Sequence, residues 1–594
     1  MKEILFAENG RTPWRIVMDH PAHETIKYAA DELQQFTEKM CGASLPVQTV
    51  LAADGEYDIL LGRSSRLAHW GVEADWDSLG EEGYVIRTGE HFILLAGATP
   101  RGTLYAVYDF LYRLGCRFFA SDCTVIPKKL TVKFPETDIT EKPAFESREA
   151  YWRDAYDGDF AVRNRMNSNK ADISIRQGGR MKFYNFHHSF SDLVSPDQYF
   201  GTHPEYFSMV NGKRLKERSQ LCLSNPDVLK LAVAGVKKWI RENPDCRVFS
   251  VSQNDWYNYC TCPACAKIDA EEGSPSGSMI RFVNAVAEEV EKEYPNVLIH
   301  TFAYQYTRKA PRLVRPRHNV IVRLCSIECC FVHPLDGSTV EKPEPHREER
   351  ESQCAALGET AFLDDLREWS RITPRLYVWD YVTQFRNYLM PMPNFDVIDK
   401  NLRLFRSLGV KGMFEQGNFS HGGGGHLAEL EAYLQARLMW NPDEDMEALM
   451  QDFLKGYYGE AAAPLVRAYI ELWQKAARKS HAPIWCSSRS DFVTDEVIAD
   501  AVELLCRAKF LTRENPQRAR LEKLELGMRY LILARMPEDT PGREALIREF
   551  GWQLREAGVS EIHERWTLED ALDAMRAHGA EKEQKRKVSN DYKM

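Results

Sequence analysis

The residues from 247 to 265 combine a short apolar run with side chains that can do acid–base chemistry. The run at 248–251 suits a buried β-strand, and an amide and a carboxylate follow it directly in Asn254 and Asp255. In a barrel of alternating strands and helices, residues just past the C-terminal end of a strand line the active-site mouth. Asn and Asp also favour turns that close a strand. The aromatic and sulfur-bearing neighbours, with Trp256 among them, favour an active site instead.

Three cysteines follow the same strand with the spacing Cys260-x-Cys262-x-x-Cys265, and Cys222 is a candidate fourth member. Clustered thiolates are a typical ligand set for Zn²⁺. Four thiolates would leave no coordination position for water, so such a zinc would be structural and would brace the loop behind Asp255. Packed buried thiols and a redox-labile disulfide are the alternatives. No cofactor is expected for catalysis.

The elements that must position these residues indicate an α/β fold. We expect a small α/β domain over residues 1–140, a (β/α)₈ TIM barrel over 141–425 and an α-helical region over 426–594. A proline-rich, charged insertion at 331–355 is expected beside the barrel mouth. The eight barrel strands are predicted at 146–152, 171–175, 183–189, 247–253, 297–303, 319–326, 375–381 and 410–415.

Composition excludes several classes of protein. The 594 residues are 44% hydrophobic and 28% charged, as in ordinary globular proteins, and no apolar run reaches the ~18 residues of a membrane helix. A net charge of −10 opposes a general affinity for nucleic acid. The first ten residues lack the basic start and apolar core of a secretory signal, so we expect a cytoplasmic location.

Several motifs resemble those of carbohydrate-active enzymes. The stretch from Gly97 to Phe119 resembles the end of the accessory N-terminal domain of family 20 β-hexosaminidases and family 67 α-glucuronidases, in which a catalytic TIM barrel follows. The barrel region resembles a family first catalogued as a domain of unknown function, which now includes the endo-β-N-acetylglucosaminidases of glycoside hydrolase family 163. The motifs that carry this second resemblance are His203-Pro-Glu-Tyr-Phe207, Gln220-Leu-Cys-Leu-Ser-Asn-Pro226, Ser250-Val-Ser-Gln-Asn-Asp255 with the three cysteines, and Trp379-Asp380.

These resemblances imply an oligosaccharide or glycan substrate and assign roles to the strand tip. A glycosidase needs an acid to protonate the leaving oxygen, and we predict Asp255 for it. If the sugar carries a 2-acetamido group, its carbonyl can attack the anomeric carbon, and Asn254 would orient and polarise that amide. An Asn beside an acid is similar to the arrangement in family 85 endo-β-N-acetylglucosaminidases, whereas family 20 uses Asp followed by Glu. The resemblance thus implies a retaining β-N-acetylglucosaminidase working by substrate assistance.

The ends of the other predicted strands supply candidate substrate-binding residues. An aromatic ring can stack on a sugar, and a carboxylate or tyrosine hydroxyl can bind its polar groups. One of the adjacent residues His187 and His188 is expected to face away from the lumen, since strand side chains alternate. The predicted substrate-binding residues are Trp256, Tyr304, Tyr306, Trp379, Asp380, Glu415, His187 and Glu328.

Two other functions fit the same residues. One is a glycosidase without acetamido participation, resembling the α-glucuronidases, in which Asp255 works with Asp380 or Glu415 across the cleft. The separation of the two carboxyls would then distinguish a retaining enzyme, at ~5–5.5 Å, from an inverting one, at ~6.5–9.5 Å. The other is a non-catalytic carbohydrate-binding protein, in which the aromatic residues matter and the carboxylates do not.

Overall fold

The N-terminal domain is a mixed sheet covered by two helices. The computed structural model of the protein describes residues 3–50, 56–338, 359–418, 425–564 and 566–578. The elements of this domain are β1 (Glu3–Glu8), β2 (Arg15–Met18), α1 (Glu24–Cys41), β3 (Val47–Thr49), β4 (Asp58–Leu61), β5 (Tyr84–Thr88), β6 (Phe92–Gly97), α2 (Pro100–Arg113), β7 (Arg117–Ala120), β8 (Cys123–Val125), β9 (Thr131–Pro135) and β10 (Asp138–Glu141). Six of the strands form one sheet in the order β10-β5-β6-β4-β2-β3, while β1 pairs with β9 and β7 with β8. Gly42 follows the last residue of helix α1 as its C-cap, with a φ of 75° that is readily adopted only by glycine.

The central region is a curled sheet of seven parallel strands with helices on its outside. Its elements are β11 (Ser147–Ala150), α3 (Gly158–Arg163), β12 (Phe183–Tyr184), α4 (Phe190–Leu193), α5 (Pro196–Tyr199), β13 (Met209–Val210), β14 (Lys213–Arg214), α6 (Pro226–Glu242), β15 (Val248–Ser250), α7 (Pro263–Glu272), α8 (Ser276–Glu291), β16 (Leu298–Ala303), β17 (Val320–Cys325), α9 (Glu359–Ile372), β18 (Leu376–Tyr381), α10 (Ile398–Ser407) and β19 (Gly412–Gln416). The strand order β11-β19-β18-β17-β16-β15-β12 brings the first strand beside the last, as in a barrel. The predicted α/β barrel architecture is therefore confirmed.

The second of the eight predicted strands is absent, which corrects the strand count. Residues 171–175 contain no strand, and a 3₁₀ turn covers Ile175–Gln177. Side chains bridge the gap between β11 and β12: the Asn167 amide oxygen accepts from the Arg148 N–H at 3.0 Å, and that of Asn169 accepts from the Phe183 N–H at 2.9 Å. Side-chain amides thus replace a main-chain ladder at this position of the sheet.

The C-terminal region is helical, as predicted, and packs directly on the barrel. Its helices are α11 (Ala428–Trp440), α12 (Met446–Tyr458), α13 (Ala463–Ala477), α14 (Asp495–Leu511), α15 (Gln517–Arg535), α16 (Arg543–Glu556) and α17 (Leu568–His578). Buried residues of these helices and of the barrel strands belong to one continuous hydrophobic core. Within the described residues, no helix is both long enough and apolar enough to cross a membrane. Residues 339–355 of the predicted insertion lie outside the described residues.

Candidate active site

A cavity of about 370 Å³ opens at the C-terminal ends of the parallel strands. Asp255 reaches the cavity from the loop after β15, and Tyr304, which directly follows β16, also lines it. Its aromatic lining consists of Trp256, Phe302, Tyr304, Trp379, Tyr381, Phe385 and Trp485. A cleft that combines aromatic rings with several polar side chains is typical of a site for a small ligand.

The Asp255 carboxyl is half-buried in this cavity and is held by Tyr304. The Tyr304 hydroxyl donates a hydrogen bond of 3.1 Å to Asp255 Oδ1. Tyr304 itself is held at its main chain, because its carbonyl accepts from the Gln253 amide at 2.9 Å and its N–H donates to the Thr307 hydroxyl at 3.0 Å. The hydrogen bond to Oδ1 leaves Oδ2 as the oxygen that can carry and deliver a proton.

The Asn254 side chain lines the cavity, but protein groups bind both ends of its amide. Its Nδ2 donates to the Ser219 carbonyl at 2.9 Å, and its Oδ1 accepts from the Ser191 N–H at 3.2 Å. The Gln220 side chain binds the Asn254 main chain twice: its Oε1 accepts from the Asn254 N–H at 2.9 Å, and its Nε2 donates to the Asn254 carbonyl at 2.8 Å. This amide therefore organises the loop after β15, and polarising an acetamido group would require it to exchange a protein partner.

Both His187 and His188 line the cavity, so the expectation that one faces away is wrong. Strand β12 ends at Tyr184, and His188 has a φ of 52° in the left-handed region, so the alternation of a strand does not extend to them. His188 Nδ1 lies 2.8 Å from the Gln253 carbonyl, which can only accept, so Nδ1 carries the proton. The His188 Nε2 atom is then the ring nitrogen left for a ligand.

Asp380 and Glu415 do not line the cavity, which corrects their predicted place in the cleft. They are paired in register on neighbouring strands, but the residues that face the cavity are their chain neighbours Trp379 and Gln416. Trp379 Nε1 donates to Gln416 Oε1 at 2.6 Å. Asp380 instead accepts from the Ser326 hydroxyl at 2.5 Å, behind the cavity wall.

The two acids belong to a buried carboxyl cluster with Glu431 of helix α11. Burial raises the pKa of Asp380 to about 6 and that of Glu431 to about 8. Burial also raises the pKa of Glu415 well above its usual value, and the charges of Asp380 and Glu431 add to that effect. Glu431 is thus largely protonated at neutral pH, behind the cavity wall.

Tyr306 and Glu328, two of the predicted substrate-binding residues, also lie outside the cavity lining. Tyr306 stacks on Tyr259 with a ring-centroid distance of 4.9 Å. Glu328 pairs with Arg308 at 3.2 Å, and Arg308 also binds Asp365 at 2.7 Å. Burial raises the pKa of Glu328. Both residues support the loops around the mouth from outside it.

The C-terminal region contributes cavity residues that the sequence did not reveal. Ile484, Trp485 and Glu564 belong to the lining, and Glu564 adds a second carboxyl to it. Within the described residues, Asp255 and Glu564 are the carboxylic acids of the lining. No local pattern around residue 564 marks it, since it becomes part of the site only when the helical region packs on the barrel.

The floor of the cavity contains a buried cation. Arg323 lies two residues before Cys325 on β17 and so occupies the lumen one layer below it. Its guanidinium lies 4.3 Å from the ring centroid of Phe186, and the rings of Phe183, Tyr377, Trp379 and Phe414 surround it within 6 Å. Burial lowers the pKa of Arg323 to about 10, which leaves it charged at neutral pH.

Two family models match parts of this chain. Residues 118–471 match the family described as Domain of unknown function (DUF4838), which is more than half of the chain. The chain belongs to this family. Residues 7–110 match the family described as Glycosyl hydrolase family 67 N-terminus. These matches support a glycoside-hydrolase-like protein, and they do not reach the finer assignment to family 163.

The fold is also similar to that of a solved glycosidase. That structure is described as a novel family GH115 4-O-methyl-alpha-glucuronidase, BtGH115A, with specificity for decorated arabinogalactans. The similarity covers 95% of this chain and 81% of that chain, with a TM-score of 0.59 and 11% sequence identity. At this identity the likeness concerns the fold. A search of the curated proteins found no match.

Proposed function

We propose that this protein is a glycoside hydrolase of α-glucuronidase type, which cleaves the bond to a uronic acid sugar without help from an acetamido group. The observation that carries the proposal is the Asp255 carboxyl, held by Tyr304 inside an aromatic-lined cavity at the strand ends. The family 67 N-terminal match and the fold of a GH115 enzyme support the uronic acid reading. The acetamido mechanism has less support, because protein groups already bind both ends of the Asn254 amide.

Asp255 acts in this proposal as the general acid. The reaction develops positive charge at the anomeric carbon, and the leaving oxygen needs a proton as the bond breaks. Tyr304 orients Asp255 through Oδ1, so Oδ2 delivers that proton. The aromatic walls, Trp256 and Trp379 among them, pack against the apolar faces of the sugar and exclude water.

The second carboxyl of the reaction is assigned to Glu564 in place of Asp380 or Glu415. It faces the cavity, whereas those two acids lie behind the wall. As a base it would activate a water molecule, and as a nucleophile it would attack the sugar directly. NMR of the first-formed anomer distinguishes the two, because the base inverts and the nucleophile retains configuration.

A uronic acid substrate also fits the charge beneath the cavity. Arg323 places a positive charge below the aromatic lining, with Glu149 as the opposing acid. Burial raises the pKa of Glu149 to about 7, so near neutral pH it offsets that charge only in part. The field of a buried charge extends further than that of a solvated one, because the low-dielectric interior screens it less. The floor of the site thus favours an anionic sugar over a neutral one.

A pair of substrates that differ only at one carbon tests this function. We expect hydrolysis of an oligosaccharide with a terminal α-linked glucuronic acid at a kcat/KM at least ~10-fold above that of its α-glucose analogue, since a pairing charge adds ~1.4 kcal/mol or more. Product masses would identify the cleaved bond. Preference for a β-linked N-acetylglucosamine substrate would contradict the proposal. Binding of these sugars without turnover would instead show a carbohydrate-binding protein.

Substituting Glu564 tests the second carboxyl. We expect Glu564→Gln to lower kcat by at least ~10-fold, because general base or nucleophilic participation would be lost. The matched control is Glu561→Gln, a nearby acid that does not line the cavity, and it should retain wild-type kcat. Equal activity of Glu564→Gln and wild type would remove Glu564 from the mechanism.

A further inference from the structure

The sulfur atoms of Cys222, Cys260, Cys262 and Cys265 form a compact group. All four side chains are buried, and their Sγ atoms lie within 4.8 Å of one another. Cys222 Sγ lies 3.7 Å from that of Cys262 and 3.9 Å from that of Cys265. A tetrahedral zinc with Zn–S bonds of ~2.3 Å requires sulfur separations of about 3.8 Å. From this agreement we infer that the four cysteines bind one structural Zn²⁺.

Polar groups around the sulfurs suit thiolates rather than thiols. The Met209 N–H lies 3.4 Å from Cys260 Sγ, and Arg214 Nη1 lies 3.7 Å from the same atom. The Ser224 hydroxyl lies 3.1 Å from Cys265 Sγ. Four thiolates around Zn²⁺ carry a net charge of −2, which N–H donors and a guanidinium offset from the outer shell.

Little apolar packing surrounds the four sulfur atoms. The hydrophobic cluster formed by the four cysteines includes, among the described residues, only the partly buried Met209 besides them. Thiols packed alone would supply a very small apolar core. A disulfide would need a sulfur separation of ~2.05 Å, well below the 3.7 and 3.9 Å of these pairs. Metal coordination accounts for both the spacing and the burial.

The zinc would hold the chain on both sides of Asp255. Cys222 lies two residues after Gln220, whose side chain binds Asn254 and also the Trp256 carbonyl at 2.6 Å. Cys260 lies at the far end of the same loop, so the metal joins the two segments between which Asp255 is presented. Any catalytic consequence of this positioning rests on the proposed function, whereas the metal site itself does not.

Metal analysis of the full-length protein, purified without chelators, tests the site. We expect about one zinc per chain by inductively coupled plasma mass spectrometry, and less than ~0.2 in Cys222→Ser, since the site requires all four thiolates. Cys116→Ser, which replaces a buried thiol of the N-terminal domain, is the matched control and should keep its zinc. These readouts do not depend on catalytic activity.

Chelation of the unmutated protein keeps the test valid if Cys222→Ser fails to fold. Zinc removal should lower the melting temperature by roughly 5 °C or more. It should also speed hydrogen exchange in peptides covering 219–225 and 254–262, and re-added zinc should reverse both changes. Metal-free native protein with four alkylatable thiols, or with the cysteines in disulfides, would overturn the inference. So would zinc that remains in Cys222→Ser.

Discussion

Replacing Asp255 with asparagine is expected to lower the turnover of glycosides with poor leaving groups by at least ~10²-fold. Asparagine keeps the shape of the side chain and an oxygen that can accept from the Tyr304 hydroxyl, but it has no proton to donate to the leaving oxygen. Glycosides with an activated aryl leaving group need that proton less, so their loss should be smaller. The ratio of the two losses therefore reports general acid catalysis.

Steady-state kinetics on both substrate types, with matched variants, would check this prediction. Asp380→Asn makes the same substitution on an acid that lies behind the cavity wall. It should leave kcat within about 3-fold of wild type, because Asp380 has no direct role in catalysis. Losses of equal size on both leaving groups in Asp255→Asn would argue against the role of acid. A large loss in Asp380→Asn would show that the acids behind the wall take part.

Replacing Glu431 with glutamine is expected to stabilise the protein strongly at alkaline pH. Burial raises the pKa of Glu431 from its usual 4.5 to about 8, so the folded protein retains a proton that the unfolded chain releases above pH 4.5. The contribution of Glu431 to the free energy of unfolding is therefore fully present below pH 4.5, and it is lost as pH rises toward 8. At ~1.4 kcal/mol per pH unit, the carboxyl costs on the order of 4 kcal/mol by pH 8.

Thermal unfolding between pH 5 and pH 8.5 would measure this effect. Glutamine is neutral throughout and can keep a hydrogen bond with Gln435, which donates to Glu431 Oε2 at 2.6 Å. The melting temperature of Glu431→Gln should thus exceed that of wild type increasingly as pH rises. Glu496→Gln, on the exposed surface of α14, is the control and should follow the wild-type curve. Parallel curves for wild type and Glu431→Gln would contradict the buried acid cluster.

The placement of Asp380 and Glu415 shows where sequence reasoning about the site failed. Strands β18 and β19 are buried on both faces, so a run of apolar residues does not show which alternate set faces the lumen. A shift of one residue exchanges the two faces. Only the sheet decided that Trp379 and Gln416 face the cavity while the acids beside them lie behind its wall.

The missing second strand has a related cause. Residues 171–175 suggested a strand from a short polar and apolar alternation, which is weak support in any sequence. In the structure, the side chains of Asn167 and Asn169 accept hydrogen bonds from the main chains of the two flanking strands. These contacts join residues that are distant in sequence, so no local pattern predicts them. Helix α6 is easier to predict from sequence, because its amphipathic spacing and its capping residue Asn225 lie within one short window.

The sequence by itself determined the α/β class, the order of the three regions and the two strand ends that present Asp255, Trp256 and Tyr304. These follow from local patterns, namely an apolar run, a turn and the next helix, which act over a few residues. The tertiary structure alone decided which side chains share the cavity. Glu564 and Trp485 join Asp255 there because the C-terminal helices bury their apolar faces on the barrel. Contacts between such distant segments depend on how the helices pack on the barrel, and a local sequence pattern does not predict that packing.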